Sequence, residues 1–323
     1  MQAVAEFQLI LESAHRTQGH LFAPGTKKNI KSHIRQFILF CVNYKRVIVP
    51  ADQDTLVAFF ELFSLSASYD HLKNVYSSIK FLHKALNEQF IEDEFQVNTI
   101  LQSIKRKMAK VPFQVLPITR EILSSMYNYI DLNDSADVAL WCGFLVSFYC
   151  LFRKANVAPK SLKNFDPNKE LSRKKLSFVE GESVVLVYNN WSKTNQFMNR
   201  EIVIPLCQNS VRSLYPVFHL KLLLGWKISE DKPAFCYLKG GKLSCITYDN
   251  FTSKLKSLLD RAGYSPGLYS GHSLRRGGCS LLFQLNCSPL VLQAIGDWKT
   301  DQFLKYCGLS LEQRWSAQQL MSS

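Results

Sequence analysis

Hydrophobic positions recur at helical spacing through the first third of the chain. Val4, Phe7, Ile10 and Leu11 mark a helix within residues 3–15. After the Ala23-Pro24-Gly25 break, Ile30, Ile34, Phe37, Ile38 and Cys41 form the inner stripe of a second helix, with Thr26 as its expected cap. Leu56, Phe59, Phe60 and Phe63 mark a third. Leu72, Tyr76, Ile79 and Leu82 mark a fourth over 69–86, and 97–109 is a fifth. No strand-like alternation of useful length interrupts them, so residues 1–111 are expected to form a small all-α domain. Pro112 and Pro117 cannot continue a helix, and residues 112–117 are expected to be an extended interdomain linker.

Beyond the linker the pattern changes twice. Thr119, with Glu121 in the following turn, is expected to cap a new helix. Residues 138–152 are almost all apolar but fall short of the ~20 that cross a membrane, so they predict a buried core helix. Residues 175–180, 183–188 and 200–205 are rich in Val, Ile, Leu and Phe and are separated by turn residues, which predicts three short strands. A tight turn at Glu180-Gly181-Glu182 and a longer polar one over 189–195 join them. From about 209 onward the pattern is again mostly helical, with Gly240-Gly241 in a simple β-turn. The expected fold is therefore mainly α with a small antiparallel β-sheet (α+β). A helical domain over 1–111 precedes a second domain over 118–323.

Composition narrows the class. The 323 residues are 47% hydrophobic and 20% charged, which excludes whole-chain disorder, collagen and a simple membrane protein. Nine cysteines, odd in number and without a CxxC pair, sit mostly in apolar runs, as reduced thiols of an intracellular protein would. The first 25 residues carry no signal-peptide core. The net charge of +13 fits either a solvated basic surface or a polyanionic partner, most often nucleic acid. Residues 1–111 hold fourteen basic and ten acidic residues, so only +4 of the total lies there. Yet Lys27, Lys28, Lys31 and Arg35 recur at helical spacing, and Lys105, Arg106 and Lys107 close the domain. These are candidate phosphate contacts or a solvated helix face. HExxH, GxxxxGK[ST], GxGxxG and GxSxG are all absent, so neither a metal nor an organic cofactor is expected.

One strip carries chemistry. In Tyr269-Ser-Gly-His272-Ser-Leu-Arg275-Arg276-Gly-Gly, a three-residue spacing lets His272 and Arg275 share a helix face and approach one anion. The two glycines allow a backbone or a substrate to come close. Further on, Gly296-Asp297-Trp298 precedes a short helix, capped by Thr300 or Asp301, that carries Tyr306. His-x-x-Arg-x-Gly, then Gly-x-Trp, then a Tyr eight residues after the Trp resembles the active-site strip of tyrosine recombinases, the phage-integrase family. Two upstream residues extend the resemblance. Arg153 in Cys-Leu-Phe-Arg153-Lys-Ala-Asn resembles the family's first arginine box, and Lys193 in Ser-Lys193-Thr-Asn matches its β-hairpin lysine. Asn156 stands where the family often has Glu, and Trp298 where it often has His. Both variants resemble the eukaryotic mobile-element branch, the Crypton and Ngaro/DIRS-like recombinases.

That resemblance implies a helical core-binding domain and a catalytic domain closing as a clamp on double-stranded DNA, with homo-oligomers assembling on it and no membrane involved. Tyr306 would attack a strand and form a 3′-phosphotyrosyl link. Arg153 and Arg275 would hold the phosphate, Lys193 would protonate the leaving 5′-oxygen, and Trp298 would bond a phosphate oxygen and pack beneath the site. His272 would either assist Tyr306 or donate to the phosphate. Arg276 is expected to meet backbone phosphate instead. The tail after Tyr306, with Leu311, Trp315 and Leu320, would dock on a neighbouring protomer or on its own domain. The implied function is DNA recombination for mobile-element integration or excision, in the nucleus of a eukaryotic cell. Type IB topoisomerase activity and a catalytically silent DNA-binding protein are the alternatives.

Overall fold

Pro24 opens α1 (Pro24–Asn43), two residues before the expected cap at Thr26. A proline at the first helical position gives up no hydrogen bond, because that N–H has no partner inside the helix. This computed structural model describes residues 13–14, 17–90, 94–109, 114–179, 181–192, 194–306, 315, 318–319 and 321. The helix expected within 3–15 lies outside them except at Ser13 and Ala14. The chain forms two compact units, 1–112 and 113–323.

The first unit packs α1 with α2 (Gln53–Ser64), α3 (Tyr69–Ala85) and α4 (Phe95–Lys107). Asp52 caps α2 by accepting from the Thr55 N–H, and Ser68 caps α3 by accepting from that of His71. The buried face of α1 is His33, Phe37, Phe40 and Cys41, turned from the expected stripe. Phe59 of α2 is the reason. It meets Phe37 and Phe40 edge to face with ring centroids 5.4 and 5.2 Å apart, so the aromatic side of α1 faces inward. Ile30, Ile34 and Ile38 are left half-buried beside Phe22 and Phe81, in a strip edged by Lys27, Lys31 and Arg35.

The second unit is built around α6 (Ser135–Tyr149), which follows α5 (Arg120–Tyr127). Thr119 caps α5 at the Ile122 N–H as expected. Every residue of α6 from Val138 to Phe148 is buried, so the helix is apolar all round because it is covered all round. The strands β1 (Leu176–Val179), β2 (Val184–Asn189) and β3 (Ile202–Leu206) form an antiparallel sheet in sequence order, with Val187 opposite both Leu176 and Ile204. After α8 (Pro216–Leu224) comes a second hairpin, β4 (Cys236–Lys239) and β5 (Lys242–Cys245), where only a turn was expected. Gly240 and Gly241 adopt φ of +55° and +76°, the left-handed pair that a two-residue hairpin loop requires. The helices α9 (Tyr248–Arg261), α10 (His272–Gln284) and α11 (Pro289–Ile295) complete the unit; α7 (Lys154–Val157) is a single turn between α6 and the sheet. Among the described residues no helix is long and apolar enough to cross a membrane.

Candidate active site

Two helix ends and one arginine organise the site. α6 stops because Leu151 turns left-handed (φ +52°), and the Phe152 N–H reaches back to the Ser147 carbonyl. α11 stops in the same way: Asp297 is left-handed (φ +51°) and the Trp298 N–H bonds the Gln293 carbonyl. Arg275, near the start of α10, bridges the two ends. Its Nη1 donates to the Leu151 carbonyl and its Nη2 to the Gly296 carbonyl at 2.6 Å. The guanidinium also lies over the Trp298 ring, 4.1 Å from the centroid. Only 2% of Arg275 is exposed, and its Nε–H has no partner among the described residues. Burial, and then the neighbouring Arg153 charge, pull its pKa down to about 9.

The glycines after Arg276 let α10 sit this close. A Cβ on Gly277 would stand 1.7 Å from the Ile118 carbonyl oxygen, and one on Gly278 would stand 2.0 Å from that of Phe148. The close approach expected at these positions is made by the protein's own backbone. Leu151, Cys279, Leu292, Trp298 and Phe303 form a small separate core beneath the site.

Tyr306 follows a short 3₁₀ turn, Asp301–Lys305, that starts at Thr300 without the expected side-chain cap. The tyrosine is held by its backbone, whose carbonyl accepts from Ser280 Oγ at 2.7 Å, and by its ring. That ring lies 5.9 Å from Trp298 and 6.3 Å from His272, centroid to centroid. His272 is at the first position of α10, with its pKa lowered by partial burial of the ring and then by Arg275, Arg153 and Lys154. Arg153, between α6 and α7, is half-buried and makes no side-chain hydrogen bond among the described residues. The structure thus brings together Arg153, His272, Arg275, Trp298 and Tyr306. Arg276 joins them at the edge, donating to Gln114 at 2.7 Å with its guanidinium 5.9 Å from the Tyr306 ring.

Lys193 lies outside the described residues, but both its neighbours are well held. Ser192 Oγ and Thr194 Oγ1 each donate to the Asp297 carboxylate, and Arg200 pairs with it. Asn156, in the place of the family's Glu, is buried and donates from Nδ2 to the Trp191 carbonyl at 3.0 Å. These tethers from Asn156 and Asp297 had no sequence signal, since their partners are 35 and about 100 residues away. The remaining candidates are surface residues of the first unit. Lys27, Lys28, Lys31 and Arg35 are exposed on α1 with no carboxylate partner among the described residues. Lys105, Arg106 and Lys107 occupy the last turn of α4, where positive charge suits the helix end. In the tail, Trp315 is exposed, whereas Leu311 and Leu320 lie outside the described residues.

No protein-family model matches the chain, and no curated protein matches it significantly. Solved structures do. The chain superposes on the Tn1549 transposon integrase in complex with transposon right end DNA with a TM-score of 0.61 at 14% identity, covering 97% of this chain and 98% of that one. The chain has the tyrosine recombinase fold. XerH site-specific recombinase bound to a palindromic difH substrate gives a TM-score of 0.56 at 13% identity, over 89% of this chain and 76% of that one. A lambda integrase dimer bound to a COC′ core site gives 0.56 at 14%, over 91% and 75%. At such identities the likeness carries the fold alone.

Proposed function

We propose that this tyrosine-recombinase fold cleaves and rejoins DNA strands through a 3′-phosphotyrosyl intermediate. The observation that carries the reading is the surplus of donors around Tyr306. A guanidinium has five N–H groups. Among the described residues Arg275 uses two on carbonyls and leaves its buried Nε–H unpaired, and Arg153 makes no side-chain hydrogen bond. Such a pocket suits an anion that gains charge in its transition state.

In the proposed step the Tyr306 oxygen attacks the scissile phosphorus, a P–O bond to tyrosine forms, and the bond to the 5′-oxygen breaks. The tyrosine proton is lost with help from neutral His272. Lys193 gives a proton to the departing 5′-oxygen. Attack by a 5′-hydroxyl reverses the sequence, so the phosphodiester energy is retained and no ATP is consumed. Trp298 packs under Tyr306 and offers its indole N–H to a phosphate oxygen. Arg276 and the basic faces of α1 and α4 would hold flanking backbone phosphates.

The finer reading rests on two residues. Asn156 and Trp298 favour the eukaryotic Crypton and Ngaro/DIRS-like branch. Mobile-element integration or excision, performed by homo-oligomers on double-stranded DNA in a nucleus, is the proposed setting. The solved relatives bound to DNA, one of them a dimer, support the choice of partner. The test is incubation with a pool of nicked duplexes of randomised sequence, followed by denaturation. Covalent protein–DNA adducts are expected, in the presence of EDTA as in its absence, because arginines supply the charge. DNA binding without adducts would favour the catalytically silent alternative.

A further inference from the structure

Asp297 occupies a backbone position that asks for something else. Left-handed residues at helix ends are usually Gly or Asn, and a polar side chain that is 6% exposed needs hydrogen-bond partners. It has three. Ser192 Oγ and Arg200 Nη2 donate to its two oxygens, and Thr194 Oγ1 donates to the carboxylate at 2.6 Å with the Asp297 carbonyl 2.8 Å away. The Ser192 and Thr194 hydroxyl oxygens lie 2.9 Å apart, and Ser192 Oγ accepts from the Thr194 and Asn195 N–H groups, both at 3.1 Å. Asn195 closes the turn from the far side through the Asn190 and Arg200 carbonyls. One side chain therefore ties the β2–β3 turn to the segment that seats Arg275 and Trp298. It grips that turn at the two residues flanking Lys193.

We infer that Asp297 is a positioning residue for the turn that carries Lys193, holding Ser192 and Thr194 on either side of it, and that proton donation to the leaving 5′-oxygen depends on this hold. The inference rests on the role proposed above for Lys193. Arg200 neutralises the carboxylate, so the latch adds little repulsion to a site built for phosphate. The alternative role for Asp297 is to support Arg275, whose positive charge it favours, and the two roles fail in different ways.

The experiment compares single-turnover cleavage of two versions of a duplex recovered from the adduct pool, one with an ordinary 5′-oxygen and one with a 5′-bridging sulfur. A leaving thiolate needs no proton. Asp297→Gly suits the left-handed backbone and removes the latch. It is expected to slow cleavage of the oxygen ester by about 10²-fold, the lower end of what a general acid supplies, and to cleave the sulfur ester at the wild-type rate. Ser192→Ala combined with Thr194→Val removes the hydroxyl bonds to Asp297 from the other end, keeps the Arg200–Asp297 pair and the Gly296–Trp298 segment, and is expected to behave alike. Lys193→Ala is measured beside them. Rescue of Lys193→Ala by sulfur without rescue of the latch variants would overturn the inference and leave the function standing. A wild-type rate for the latch variants on the oxygen ester would overturn it equally. Failure of sulfur to rescue Lys193→Ala would instead remove the acid role and the inference with it.

Discussion

At the scale of single residues, the site depends on close contacts that small changes can spoil. A Cβ on Gly296 would meet the Trp298 ring at 1.7 Å, so Gly296→Ala must displace the indole from Arg275 and Tyr306. A desolvated cation–π contact is worth about 1–2 kcal/mol. Cleavage is therefore expected to slow on the order of tenfold, and Tm to fall because the displaced indole is part of the buried core beneath the site, checked by single-turnover kinetics beside a thermal melt. His272 makes a second case. Its pKa lies below the ordinary 6.5, so the imidazole is neutral at pH 7 and becomes charged only as pH falls further. The cleavage rate should fall through an acid limb with its midpoint below that of a free imidazole. A pH–rate profile of His272→Gln should lack the limb, and a limb unchanged in the variant would assign it to another group. That His272 and Arg275 share a helix face was legible from their three-residue spacing, whereas Trp298 and Tyr306 were joined to them only by the resemblance to tyrosine recombinases. The Arg275 contacts to Leu151 and Gly296 were not legible, since they join chain segments 124 and 21 residues away.

At the scale of elements, helix periodicity reported what each helix buries only where its neighbours were typical. The fully apolar run of α6 announced its burial directly. For α1 the same approach chose Ile30, Ile34, Phe37, Ile38 and Cys41; Phe37 and Cys41 are buried, but Phe40 replaces the isoleucines in the interior because both rings pack on Phe59. The β4–β5 hairpin was missed because its strands are four residues each and lack alternation. The start of α10 packs closely on the end of α6. Gly278→Ala would drive a Cβ into the Phe148 carbonyl at 2.0 Å, which cannot yield without moving a helix end. Overpacking of about 3 kcal/mol predicts a Tm lower by roughly 5–10 °C. A melt within a degree of wild type would show that the two helices are not held this closely.

At the scale of the whole molecule, the account requires a polyanion. Lys27, Lys31 and Arg35 have no carboxylate partners among the described residues, so replacing all three with Gln removes charge without stranding an acid. Each neutralised phosphate contributes ~0.9 to the slope of log affinity against log salt. If all three meet DNA, the triple variant binds a duplex more weakly and its salt slope is shallower by about 2–3. An unchanged slope and affinity would make that face of α1 merely solvated. The central claim is narrower: Tyr306 becomes covalently joined to a DNA 3′-phosphate. The most direct measurement digests the denatured adduct with nuclease and protease and locates the residual nucleotide by mass spectrometry. The account predicts the nucleotide on Tyr306 and no adduct from Tyr306→Phe, which keeps the ring packed beside Trp298 and loses only the nucleophilic oxygen. A nucleotide on another residue such as Tyr269, or undiminished adduct from Tyr306→Phe, would contradict it.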